Sequence, residues 1–162
     1  MELSMIRLDA DTLTQDRFDQ MFLLEQDCGL DPYPPEVLLT CVTDMETFAC
    51  FEGEKMLGFI TAHYSSRYLG SSIYIVNLNV RRSARRKGIA TALVHHICQY
   101  YYPRHSSQQI SLDVGKTNIK ALALYKKLGF RATGIPSRNG KTDVVLAVPL
   151  KDLLQNTHIT RT

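Results

Sequence analysis

An apolar run from Ile73 to Val80 gives way to Arg81-Arg82-Ser83-Ala84-Arg85-Arg86-Lys87, and an amphipathic segment starts directly after it at Gly88. The run has the length and β-branched content of a buried strand, with Tyr74, Val76, Leu78 and Val80 on one face. The segment repeats Ile89, Leu93, Val94, Ile97 and Tyr101 at helical spacing. A strand that feeds straight into a helix belongs to a layered α/β architecture. The turn between them concentrates five cations in seven residues, which cannot all be buried without partners. A helix start also carries unpaired N–H groups and the positive end of its dipole. Gly88 leaves room for a ligand at the backbone, so this turn is built for a phosphate-bearing anion.

The rest of the chain alternates in the same manner. Ser4 to Leu8 reads as a first strand, and Thr14 to Cys28 as a helix with Phe18, Met21, Phe22 and Glu25 on one face. Thr12 or Thr14 is its cap. Pro34-Pro35 opens a short helix through Val42. Thr47–Phe51 and Met56–Tyr64 form a hairpin around Glu52-Gly53-Glu54-Lys55, and Ser65 to Ser72 is a loop. Pro103 to Gln108 breaks the third helix, and Gln109 to Val114 is the next strand. Asn118 to Leu128 is a fourth helix closed by Gly129 and Phe130. Ala132–Ile135 and Asp143–Val148 are late strands around Ser137-Arg138-Asn139-Gly140. Residues 1–150 are expected to form a single domain and 151–162 a polar tail.

Charge is polarised along the chain. Residues 1–54 hold thirteen of the sixteen acids and only Arg7 and Arg17, whereas residues 55–162 hold the other seventeen bases. Such halves suit differently charged partners: an anionic ligand on the later part, a cationic one near the first. Four scattered cysteines without a C-x-x-C pair read as reduced thiols of a cytoplasmic protein. No apolar run reaches membrane-span length, and the first residues lack the pattern of a signal peptide. Gly115-Lys116-Thr117 ends like a phosphate-binding loop, but Ile110 stands where that loop requires glycine. The adjacent His95 and His96 point to different helix faces, and no carboxylate lies at ligand spacing from them and Cys98, so no metal is expected.

Arg85-Arg86-Lys87-Gly88-Ile89-Ala90 resembles the Gln/Arg-x-x-Gly-x-Gly/Ala hallmark of the GNAT superfamily of acetyl-CoA-dependent N-acetyltransferases. Asn118-Ile-Lys-Ala-Leu-Ala-Leu-Tyr125-Lys-Lys-Leu-Gly129-Phe130 is similar to the family's second signature. Both occur at the family's separation, and the resemblance spans roughly residues 4 to 149, being nearest to the ribosomal-protein N-terminal acetyltransferase branch. It implies a single α/β domain: a mixed, mostly antiparallel sheet of about seven strands, splayed between the fourth and fifth, with about four helices. It also implies acetyl-CoA as acyl donor. Leu78, Asn79 and Val80 would face the pantetheine arm, and Arg85, Arg86, Lys87, Gly88, Ile89, Ala90 and Thr91 the pyrophosphate. Arg81, Arg82 and Arg86 would reach toward the 3′-phosphate. Asn118 would bind the cofactor from the other side, and Tyr125 would be the general acid near its sulfur.

Direct transfer requires a neutral amine, whereas a lysine-like amine has a pKa near ~10.4. Something must therefore take a proton. Asp113 matches the position of a catalytic glutamate in that branch, and either it or an ordered water is the expected base; the central strand has Asn77 and Asn79 where other members carry a glutamate. Glu25, Asp27, Asp31, Tyr33, Glu36, His63, Tyr64 and Tyr68 fall where the family shapes its acceptor pocket, and their acidity fits a cationic amine. A protein or peptide amine is favoured over a polyamine, amino acid or aminoglycoside. An idle acyl-CoA-binding domain and a nucleic-acid-binding module are the rivals from other classes. Neither nucleic acid nor membrane is an expected partner, and a monomer and a homodimer both fit.

Overall fold

A computed structural model describes residues 2–29, 31–65, 72–105, 108–138 and 140–155, without the Lys141 side chain. The elements are β1 (Ser4–Leu8), α1 (Gln15–Cys28), α2 (Pro35–Asp44), β2 (Glu46–Glu52), β3 (Lys55–Ser65), β4 (Ser72–Val80), α3 (Ile89–His105), β5 (Gln109–Gly115), α4 (Ile119–Lys127), β6 (Arg131–Ala132), β7 (Asp143–Pro149) and α5 (Leu150–Gln155). The strands form one sheet in the order β1-β2-β3-β4-β5-β7-β6. β4 and β5 run parallel and, among the described residues, pair through Ile73 with Ile110 and Tyr74 with Ser111. By contrast β5 pairs antiparallel with β7 along its whole length. The expected mixed seven-stranded sheet is therefore present.

The chain divides into two compact units. The first takes Met1–His63 and Val76–Ile97, the second Tyr64–Ile75 and Cys98–Thr162. In the first, Leu8, Met21, Leu24, Leu38, Phe51 and Phe59 are buried together. Each large side chain so buried stabilises by about 1.5–3 kcal/mol. Thr14 caps α1 by accepting from the Arg17 N–H at 3.2 Å, while Pro35 starts α2, where its missing N–H costs nothing. Gly58 allows the closest backbone approach: a Cβ there would lie 2.6 Å from the Asn79 carbonyl oxygen. The second unit buries Ile73, Ile110, Leu112, Val148, Leu150 and Leu153.

Three expectations are corrected. α3 continues through Pro103 to His105, because a proline in the last turn deletes one hydrogen bond and leaves the preceding turns intact. β6 is only Arg131–Ala132 instead of a strand to Ile135. There the Thr133 hydroxyl donates to the Val145 carbonyl at 3.1 Å and accepts the Ile135 N–H at 3.0 Å, and Gly134 turns at φ +77. Residues 151–155 belong to α5 because Leu150 and Leu153 find apolar cover. The remainder of the expected tail, most of the 65–72 loop, and Asn139 of the late turn lie outside the described residues.

Candidate active site

The junction after β4 is shaped by backbone. The Arg81 N–H donates to the Leu57 carbonyl at 2.7 Å, and a single 3-10 turn follows over Arg82–Ala84. Arg86 then adopts φ +65 and Gly88 φ +79. Left-handed residues interleaved with ordinary ones turn successive N–H groups to one side, which makes an anion-binding concavity. Among the described residues, the N–H groups from Arg86 through Thr91 donate to no protein acceptor; the first helical bond runs from Ala92 to the Gly88 carbonyl at 3.0 Å. Nothing lies within 4 Å of where a Gly88 Cβ would stand. Buried Ile89 and Ala84 pin the turn from beneath.

The cations divide by use. Arg81 is committed to the protein, its Nε donating to the Met56 carbonyl at 2.8 Å. Arg82 pairs with Asp27 at 3.1 Å on the surface, and Arg85 donates to the Val80 carbonyl at 3.2 Å. Arg86 and Lys87 are exposed and make no side-chain hydrogen bond among the described residues. These two are the charges left for a ligand.

On the same unit, α1 places Glu25 against β4. Its carboxylate is 4% exposed. One oxygen accepts from Asn79 Nδ2 at 2.6 Å and Asn77 Nδ2 at 3.1 Å, and the other accepts the Tyr33 N–H at 3.0 Å. Among the described residues nothing donates to the buried Asn77 Oδ1, and such an oxygen costs about 1–3 kcal/mol when left unpaired. Sequence reasoning placed Glu25 only in an acidic pocket wall. The available signal was two amides at i and i+2 on an otherwise apolar strand, which require a buried acceptor.

In the second unit, Asn118 caps α4 by accepting the Ala121 N–H at 3.2 Å, which leaves its Nδ2 without a partner among the described residues. α4 closes as a Schellman motif: the Gly129 N–H reaches the Lys126 carbonyl and the Phe130 N–H the Tyr125 carbonyl, both at 3.0 Å. That motif sets the Phe130 ring edge-on to Tyr125 at 5.4 Å. Burial pushes the Tyr125 phenol up to about 12, and its hydroxyl makes no hydrogen bond to a described residue. Asp113 on β5 has both oxygens engaged: one accepts the Tyr74 hydroxyl at 2.9 Å, the other the Ser137 hydroxyl.

Of the expected acceptor-pocket residues, Asp31 and Glu36 are exposed, Tyr33 and His63 are half-buried, and Tyr64 stacks on His105 at 4.6 Å. Tyr68 lies outside the described residues. No metal-binding group of three or more His, Cys, Asp or Glu occurs among the described residues. No helix among them is long and apolar enough to cross a membrane.

Residues 10–130 match the sequence profile of the acetyltransferase (GNAT) family. Human N-acetyltransferase 8 is 31% identical over 118 residues, 64% of this chain; the chain thus spans about half, 52%, of that relative's length. The ribosomal protein bS18-alanine N-acetyltransferase of Escherichia coli is 27% identical over 118 residues, covering 65% of this chain and 79% of its own. Among solved structures, the Escherichia coli ribosomal-protein-S18-alanine N-acetyltransferase superposes with a TM-score of 0.72 at 20% identity, covering 92% of this chain and 94% of that one. Arabidopsis thaliana NAA60 in complex with acetyl-CoA gives 0.71 at 20% identity, covering 91% and 98%. At such identities the superpositions establish a common fold.

Proposed function

This chain belongs to the acetyltransferase (GNAT) family, and from that premise we propose that it transfers an acetyl group from acetyl-CoA directly to a primary amine of a protein or peptide. The observation that carries the reading is the row of unpaired N–H groups from Arg86 through Thr91, with open space over Gly88. Those donors fit a pyrophosphate, and the exposed cations of Arg86 and Lys87 fit the remaining phosphate charge. The backbone of Leu78, Asn79 and Val80 is assigned to the pantetheine arm, and Asn118 Nδ2 to a polar group of the same ligand. Acetyl-CoA supplies a thioester, whose carbonyl needs hydrogen-bond donors and whose sulfur needs a proton on leaving.

Tyr125 is assigned as that proton source. A phenol held neutral to about 12 cannot serve as a base at physiological pH, but it is always protonated and able to donate. Asp113 is proposed to orient the Tyr74 and Ser137 hydroxyls, each of which donates to one of its oxygens. The relatives named for protein acetylation favour a peptide acceptor. Calorimetric titration with acetyl-CoA tests the donor: absence of binding at hundreds of micromolar sinks the assignment. A thiol-release screen over peptides, polyamines, amino acids and aminoglycosides then tests the acceptor. Turnover only with a small amine would replace the peptide reading, and binding without any turnover would replace catalysis by a regulatory role.

A further inference from the structure

Glu25 and Asn77 together form an incomplete hydrogen-bond set. A carboxylate offers about four acceptor positions, and donors fill three at Glu25: Asn77 Nδ2, Asn79 Nδ2 and the Tyr33 N–H. Because a carboxylate only accepts, Asn77 must turn its Nδ2 toward Glu25. Its Oδ1 is thereby driven to a buried position where no described residue donates to it. One carboxylate position and one orphaned amide oxygen, a single carboxamide apart, are left facing no donor. Among the described residues Glu25 has no cationic partner; the ion pair found there is Arg82 with Asp27. Cys41 on α2 is the titratable group that senses Glu25, and its thiol is pushed up to about 11, first by burial and further by the Glu25 charge. It therefore stays neutral and supplies no countercharge.

Two acceptors without a donor, beside a buried negative charge, call for a cation rich in N–H groups. We propose that Glu25 and Asn77 Oδ1 receive the ammonium of the acceptor, and that Glu25 takes the proton this group must lose before it attacks. The proposal rests on the acetyl-transfer reading above and supplies its missing base from α1, opposite strand positions that carry amides. The ammonium gives one proton to Glu25, and the neutral nitrogen forms the C–N bond as the C–S bond breaks. The nitrogen's surplus proton passes to the departing thiolate, and the proton on Glu25 leaves to solvent. One proton is released per amide formed.

The test reads the side-chain amide resonances of Asn77 and Asn79 in the 15N-labelled protein during titration with n-butylammonium, with tetramethylammonium as control. Shifts at Asn77 and Asn79 with the first salt and none with the second are expected, since the control carries charge but no N–H. No shift with n-butylammonium at tens of millimolar, or equal shifts with both, overturns the proposal. This readout is independent of turnover, so failure of acetyl-CoA binding in calorimetry would refute the acetyl-transfer reading separately. With a peptide acceptor in hand, Glu25→Gln should lower kcat about 100-fold or more, leaving the acetyl-CoA Kd unchanged. An unchanged kcat in a folded Glu25→Gln protein would remove Glu25 from the reaction. If that variant melts early, because its amide N–H₂ meets other donors, Glu25→Ala replaces it, and full activity there would overturn the proposal equally.

Discussion

The turn from Arg86 to Thr91 and the cluster around Asp113 treat polar groups in opposite ways. In the turn a row of N–H groups and two cations have no partner among the described residues; at Asp113 both oxygens already accept a hydroxyl. N–H groups at an exposed helix start can receive an anion, whereas a carboxylate with a hydroxyl on each oxygen ties neighbouring elements together. The two carboxylates repeat the contrast. Glu25 is held by amide donors beside an orphaned oxygen, whereas each Asp113 oxygen accepts a hydroxyl.

Tyr125→Phe probes the open side most strongly. It should lower kcat by about 10²–10⁴ with little change in melting temperature, because the hydroxyl bonds to no described residue; a large loss of stability with normal turnover would reverse its classification. Asp113→Asn probes the closed side and should do the opposite. Losing hydrogen bonds to a charged acceptor costs about 1.5–3 kcal/mol of stability, with kcat reduced less than in Tyr125→Phe, as chemical denaturation and steady-state rates will report. Gly88→Ala sits between them. An L-residue at φ +79 is strained by about 1–2 kcal/mol, and its methyl would project into the open space beside the turn. Weakened acetyl-CoA binding exceeding the loss of stability would mark the turn as a ligand site.

The buried neutral groups make a pH prediction. Tyr125 rises from an ordinary 10.0 to about 12, and Cys41 from 9.0 to about 11. Both keep their protons in the folded state where the unfolded chain has released them. Their contribution to stability is thus complete below pH 9 and declines as pH rises through about 11 and 12. Urea unfolding between pH 8 and pH 11 measures it. Arg82→Ala should matter least: its ion pair with Asp27 is exposed at 68% and 49%, worth about 0.2–1 kcal/mol at most. A larger effect on acetyl-CoA affinity would move Arg82 to the ligand-facing set.

Which features were legible follows from sequence distance. Asn118, Gly129 and Phe130 announced the limits of α4 because capping is decided within a few consecutive residues. The Gly88 turn was legible for the same reason. Pro103 misled because local propensity says break while its place in the final turn makes the loss small. α5 was missed because Leu150 and Leu153 look polar-flanked in sequence and gain their cover only from the folded second unit. Asp113 was placed on the right strand, but nothing near it in sequence names Tyr74 or Ser137 as its partners.

The sequence by itself determined the alternation of strands and helices, the anion-seeking turn and the two family signatures, since each depends on side chains a turn or a strand apart. Only the tertiary structure decided which charges remain for a ligand and which are already paired. It withdrew Arg81 to the Met56 carbonyl, closed Asp113, and brought Glu25 onto Asn77 and Asn79 from more than fifty residues away. The physical reason is that a donor or acceptor is satisfied by whatever folding places within about 3 Å, and that distance is not written along the chain.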